Sequence, residues 1–241
     1  MITAIILAGG TGVRMNSRTK PKQFLELHGK PIIIHTLEHF ERHPKVDNIV
    51  VVCVKGWKKE LENVIKRNYI TKVKWVVGGG ETVQMSTYNG LKAVYNEMGH
   101  LKNHIAIIHD GVRPLIDEKL ITDNIETVKN RGSSVTVSYA IETITSVDDD
   151  GKILRVENRD KARIAKAPQC FYMDRLMEAH YKAQTEGIHS MIDAASLMNY
   201  YGHDLHTVLG SNYNIKITTP ADYYIFRALF EAEENSQIFG L

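Results

Sequence analysis

The chain alternates short apolar runs with longer segments whose apolar residues recur at helical spacing. Ile2–Leu7, which is largely β-branched, and Asn48–Val54, Val73–Val77, Ile105–His109 and Ser134–Ala140 have the length of buried strands. Between them, the spacing predicts helices from Pro31 to about Arg42, Trp57 to Arg67, Val83 to Met98 and Ile121 to Asn130, with Pro31 suited to a first helical turn. Phe24–Lys30 reads as a short link. Further on, helices are expected over Met173–Thr185, Ile192–Tyr201 and Pro220 to about Glu234, with one more strand at His206–Leu209 and an extended run at Tyr213–Thr218. Strand alternating with helix implies a mainly parallel sheet covered on both faces. Ligands of such sheets bind at the carboxyl ends of the strands. Here three of those ends are Gly9–Gly12, Gly78–Glu81 and His109–Arg113, so three glycine or polar clusters should meet on one edge.

The pattern changes between Ile141 and Arg163. Thr143–Ser146 and Ile153–Arg155 alternate around the turn Asp148-Asp149-Asp150-Gly151, which is a hairpin signal. A lone hairpin cannot bury a core of its own. It is read as an arm, at about 141–163, that packs on a second subunit; a surface hairpin on a monomer is the alternative. The rest of 1–241 is expected to be one domain, since neither repeats nor a low-complexity linker interrupt it.

The first strand runs into Ala8, Gly9, Gly10, Thr11 and Gly12, followed by Arg14, Arg18, Lys20 and Lys22. Glycines let backbone N–H groups approach a phosphate, and the cations neutralise it. A Walker loop would need Gly-Lys-Ser/Thr, but Gly12 is followed by Val13-Arg14. A dinucleotide fingerprint would need a small residue at Met15 and a helix that Pro21 interrupts, which argues against an oxidoreductase. The pattern that remains, G-G-x-G-x-R-M followed by P-K-Q, resembles the signature of the sugar-phosphate and polyol-phosphate nucleotidylyltransferases. It is most similar to the branch that joins cytidylate to methylerythritol phosphate or ribitol phosphate. HTL at 35–37, Ser86 with Asn89-Gly90-Leu91, HDGVRP at 109–114, ETI at 142–144, APQ-x-F at 167–171 and NIKITTP at 214–220 extend the resemblance over nearly the whole chain.

The resemblance implies an α/β protein, a Rossmann-like mainly parallel sheet with helices on both faces and a protruding β-hairpin arm, assembled as a homodimer. It implies that a phosphate oxygen of a polyol phosphate attacks the α-phosphorus of CTP and that pyrophosphate leaves. Catalysis would then be positioning and electrostatics. A phosphate monoester, with a second pKa of about 6, needs no base. Arg14 and Lys22 would hold the triphosphate and Lys216 the α-phosphate. Backbone groups of Ala8, Gly9, Gly10, Thr11 and Gly12, together with Gly79, Gly80 and Ser86, would line the nucleotide. Asp110 would bind Mg²⁺ between phosphate oxygens; its alternative role is to cap the next segment. Arg113, Thr143 and Arg159 match acceptor-binding positions, Arg159 at the base of the arm and therefore able to act in a partner's site. Solvated surface roles are the alternative for these three.

Departures from the methylerythritol pattern concern the acceptor. Leu7-Ala8-Gly9-Gly10 replaces Ala-Ala-Gly, and Val83, Thr145, Ala167 and Ile192 stand where those relatives carry Arg, Lys, Thr and Thr. A pocket stripped of such polar groups discriminates differently. The opening resembles the ribitol-phosphate branch, although that branch also usually has Thr at Ala167. Methylerythritol 4-phosphate as acceptor, another nucleotide as donor and a catalytically silent nucleotide-binding regulator stay open.

Composition narrows the partners. Of the 241 residues, 30 are basic and 28 acidic, a net charge of +2, so a general nucleic-acid binder is not expected and any cationic site must be local. Cys53 and Cys170 do not suggest a disulfide framework or a zinc site. His203 and His206 lack acidic or thiol neighbours at ligand spacing. No basic leader and no apolar run near the ~18 residues of a membrane span is evident, so the chain reads as cytoplasmic, without a membrane partner.

Overall fold

A computed structural model describes residues 1–10 and 20–239, with side chains to Asn235. Thr11, Gly12, Arg14 and Arg18 lie outside the described residues.

The first buried run forms β1 (Ile2–Ala8). A 3₁₀ turn at Lys22–Phe24 leads into a small ribbon, β2 (Glu26–Leu27) with β3 (Lys30–Pro31), where the sequence suggested a plain link. Next come α1 (Ile32–Arg42), β4 (Asn48–Cys53), α2 (Lys58–Arg67), β5 (Val73–Gly78), α3 (Val83–Met98), β6 (Ile105–Asp110), α4 (Glu118–Arg131) and β7 (Ser133–Tyr139). The hairpin is β8 (Thr145–Val147) with β9 (Ile153–Val156), and its two strands pair only with each other. The chain returns through β10 (Arg163–Tyr172), α5 (Met173–Thr185), α6 (Ala194–Tyr200), β11 (Thr207–Leu209) and α7 (Pro220–Phe239).

The seven-stranded sheet has the order β11-β7-β10-β6-β1-β4-β5. Its pairings are parallel except those of β10, which runs antiparallel to both β6 and β7. Strand β10 is the element that the hydrophobic pattern missed. Its first half is exposed, and Pro168, which has no N–H to give a ladder, falls where the register shifts between Ala165 and Gln169. Helix boundaries also move, and α7 runs on to Phe239 beyond the expected Glu234. α4 begins at Glu118 because the Asp117 side chain accepts from Leu120 N at 2.6 Å. α6 begins at Ala194, two residues later than expected, because Asp193 caps it through Ser196 N at 2.7 Å.

The period-two rule sorts the core. Ala4, Ile6, Ile49 and Val51 point to one face of the sheet, where α1, α2 and α4 lay Leu37, Phe40, Leu61 and Ile125 over them. Ile5, Val50 and Val52 point to the other face, under Leu91 of α3, Leu176 of α5 and Leu197 of α6. A third cluster joins α7 to the mouth of the sheet, with Phe226 against Leu27, Ile32, Val112 and Ile217. With both faces covered, polar groups concentrate where the strands end.

Candidate active site

At the end of β1, Gln23 ties the segment that begins at residue 20 to the one that ends at residue 10. Its Nε2 donates to Ala8 O at 2.7 Å and to Gly10 O at 3.3 Å. This places the neighbouring Lys22, itself nearly buried, beside the glycine loop. Phe24 of the same turn packs on Trp57, with ring centroids 4.8 Å apart. The end of β5 meets the same place. A Cβ added at Gly79 would stand 3.3 Å from Gly9 Cα, so the two loops touch backbone to backbone. At Gly80 a Cβ would come within 2.5 Å of Met85 Cβ, which only glycine avoids. The Ser86 hydroxyl accepts from Gly80 N at 3.0 Å and fixes this second loop. Ala8, Gly9, Gly10, Gly79 and Gly80, with the Ser86 hydroxyl, therefore lie together at the ends of β1 and β5.

The charged half of the site lies across β1. The register sets Asp110 of β6 beside Leu7, and Gly111 N donates to Leu7 O at 2.9 Å. One Asp110 oxygen pairs with Lys216 Nζ at 2.7 Å and the other with Arg113 Nε at 3.2 Å. Burial alone would raise the Asp110 pKa; Lys216 and Arg113 outweigh it and hold the carboxyl down at about 2. Arg113 also donates from Nη1 to Asn214 O at 2.8 Å, and Ile217 N donates to Val112 O at 2.9 Å. These bonds tie NIKITTP to HDGVRP across roughly a hundred residues of sequence. Behind them, neutral His109 donates from Nε2 to Arg113 O at 3.0 Å, its pKa pressed to about 3, chiefly by burial. His39 donates from Nε2 to Pro114 O at 2.8 Å, and Thr36 to Gly111 O at 3.2 Å. α1 thus holds the loop that carries Arg113 at two points, Gly111 and Pro114, and His109 of β6 holds it at Arg113 itself.

Asp110, Arg113 and Lys216 open into a cleft of about 180 Å³. Its far wall is Ala165, Lys166, Ala167 and Gln169 of β10 with Ile192, Asp193 and Ala194; Val83 and Thr87 of α3 form the near rim. Gln84 clasps the rims together, donating to Ile188 O at 2.7 Å and accepting from Met191 N at 2.9 Å. Three of the four departures noted in the sequence, Val83, Ala167 and Ile192, line this one cleft, and Val83 and Ile192 remain exposed there.

Of the residues singled out in the sequence, Lys22, Lys216, Asp110, Arg113, Ser86 and the described glycines meet at one sheet edge. Arg14, Thr11 and Gly12 fall outside the described residues. Thr143 and Arg159 are exposed on the arm and do not line the cleft. The motifs in the sequence contained Gln23, Gln169 and Asn214 without giving them a role, and Lys166 and Asp193 lay outside them. Gln169 donates to Asp193 at 2.9 Å and accepts from Ala195 N at 2.9 Å, which seats the loop bearing Ile192. β10, unseen as a strand, brings Lys166 and Gln169 to the site; the PQ pair inside APQ-x-F was the available hint.

Among the described residues no cluster of three His, Cys, Asp or Glu side chains could hold a metal alone. The carboxylate an ion at this edge would find is Asp110, whose two oxygens already pair with Lys216 and Arg113.

Comparisons with known proteins converge on one group. The family model described as 2-C-methyl-D-erythritol 4-phosphate cytidylyltransferase (IspD) matches residues 2–232. A ribitol-5-phosphate cytidylyltransferase of Streptococcus agalactiae serotype V is 48% identical over 241 residues, covering 100% of both chains. A 2-C-methyl-D-erythritol 4-phosphate cytidylyltransferase of Clostridium novyi is 37% identical over 231 residues, covering 95% of this chain and 96% of its own. Among solved structures, a 4-diphosphocytidyl-2C-methyl-D-erythritol synthase from Anaerococcus prevotii superimposes with a TM-score of 0.81 at 26% identity, covering 95% of this chain and 96% of its own.

Proposed function

The chain belongs to the 2-C-methyl-D-erythritol 4-phosphate cytidylyltransferase family, and from that premise we propose that it transfers CMP from CTP to D-ribitol 5-phosphate, releasing pyrophosphate. The observation that carries the chemistry is the gathering of Lys216 and Arg113 on the Asp110 carboxylate, beside the Gly9–Gly79 contact. Backbone donors for a triphosphate and cations for an attacking phosphate stand on adjacent strand ends. The acceptor phosphate attacks the α-phosphorus as a dianion, and pyrophosphate departs in line. Lys216 and Lys22 meet the charge that develops on the α-phosphoryl oxygens and the leaving group, with Arg14 expected to join them. Asp110 keeps Lys216 and Arg113 in place and offers its remaining lone pairs to a Mg²⁺ that would neutralise the triphosphate.

Ribitol phosphate is favoured over methylerythritol phosphate by the 48% against 37% identity of the relatives so named. The apolar Val83, Ala167 and Ile192 in the cleft agree with an acceptor other than methylerythritol phosphate. The test is pyrophosphate release from each nucleoside triphosphate with D-ribitol 5-phosphate or methylerythritol 4-phosphate, with Mg²⁺ and after chelation. Release that requires CTP, Mg²⁺ and the ribitol ester is expected. Preference for methylerythritol 4-phosphate would reassign the acceptor, and tight CTP binding without release from any acceptor would mark a regulator.

The same reading includes a homodimer. The arm exposes Val147, Ile153, Leu154 and Val156 on both faces of a two-stranded ribbon, and Ile141 at its base is 68% exposed. A second copy covering that surface would bring Thr143 and Arg159 to its partner's acceptor. Deleting residues 146–155 should convert a dimer in sedimentation to a monomer; a deleted protein that still sediments as a dimer removes the arm from the interface.

A further inference from the structure

The cleft holds a cation with no assigned part, Lys166 of β10. Its Nζ donates to the carbonyls of Ser211 at 3.3 Å and Asn212 at 3.1 Å, which engages two of its three N–H donors. Asn214, two residues on, gives its carbonyl to Arg113. One short segment therefore positions both cations against the same cavity. Arg113 is close enough to Lys166 to act, after burial, in lowering the lysine pKa, and no carboxylate opposes it. The cleft's two carboxylates are already committed. Asp110 is shared between Arg113 and Lys216, and Asp193 accepts from Gln169 and Ser196 N. Among the described residues three cations face one shared carboxylate, and a positive excess in a concave, half-buried place is stable once an anion enters.

We propose that Lys166 is a third cation for the phosphate of the acceptor, acting with Arg113 and Lys216 and determining how tightly this chain holds a polyol phosphate. The inference rests on the acceptor reading above. A dianion seated between the three side chains would present an oxygen toward the nucleotide cradle while Lys166 binds from the β10 side. Val83, Ala167 and Ile192 offer no charge there, so Lys166 supplies the electrostatic hold that the cleft wall otherwise lacks.

The test compares wild type, Lys166→Met and Lys166→Arg in steady-state kinetics with CTP and D-ribitol 5-phosphate. Loss of one charge-assisted hydrogen bond should raise the acceptor KM of K166M about ten- to a hundredfold. The KM for CTP should stay within about twofold, and K166R should recover most of the loss. Equal acceptor KM in wild type and K166M, or a fall in kcat with both KM values unmoved, would make Lys166 only a strut for the 211–212 turn. Inorganic phosphate binding, followed by calorimetry, judges the residue without turnover: weaker binding to K166M supports the proposal, and equal binding overturns it. Wild type that fails to release pyrophosphate from CTP and the ribitol ester defeats the acceptor reading instead, and the phosphate titration still decides Lys166.

Discussion

Replacing Asp110 by Asn tests whether the carboxylate charge organises this site. The amide keeps the shape and removes the charge. In the folded protein the carboxyl is 17% exposed, and Lys216 and Arg113 lower its pKa from 3.8 to about 2 against the opposing effect of burial. At about 1.4 kcal/mol per pKa unit, that difference corresponds to roughly 2–3 kcal/mol of stability. The ~3–5 kcal/mol typical of a broken buried pair is an upper bound, because the Lys216 side chain is 41% exposed and water can take over part of its solvation. The sign follows from linkage. A depressed carboxylate pKa stabilises fully above the unfolded value near 3.8, and the contribution disappears as pH falls through about 2. Urea unfolding at pH 7 should therefore show D110N less stable by about 2–3 kcal/mol. Turnover should fall as well, because Lys216 and Arg113 lose the group that aims them. A variant within ~0.5 kcal/mol of wild type at pH 7 would refute the claim that the ion pairs set this pKa, and unchanged turnover would refute their role in positioning.

Lys22→Ala should lose about 3–4 kcal/mol of transition-state stabilisation, the scale for removing one preorganised electrostatic donor; unchanged kcat/KM would take Lys22 out of the mechanism. Gln23→Ala removes the bonds to Ala8 O and Gly10 O and should lower kcat/KM for CTP about tenfold with little change in the acceptor KM; an equal rise in both KM values would contradict a role confined to the nucleotide loop. Acid should unfold the protein early. Burial lowers the pKa of His104 and His180 to about 4 and of His109 to about 3, so below pH 6.5 the unfolded chain takes up protons that the fold refuses. Between pH 7 and 5 each should cost about 2 kcal/mol, and a urea midpoint that stays level over that range would sink the argument.

The strands and helices were legible because their cause is local. Runs such as Ile2–Leu7 and Asn48–Val54 are apolar at all positions but Thr3 and Asn48, which suits a strand packed on both faces, and α1 and α3 carry their period in adjacent turns. The glycine loop was legible because a backbone that approaches a phosphate requires glycine in sequence order. Strand β10 was not, because half of it is exposed, proline interrupts it and its hydrogen-bonding partners are distant strands. Lys166 stayed hidden with it, and so did the structural role of Gln169. The pairing of Asp110 with Lys216 and the contact of Gly9 with Gly79 join residues that the chain separates widely. By itself the sequence determined which segments form strands, where glycine and charge accumulate, and which family the motifs resemble. Only the tertiary structure decided that three scattered cations face one cavity with a single shared carboxylate, because charge neutralisation depends on distance in space.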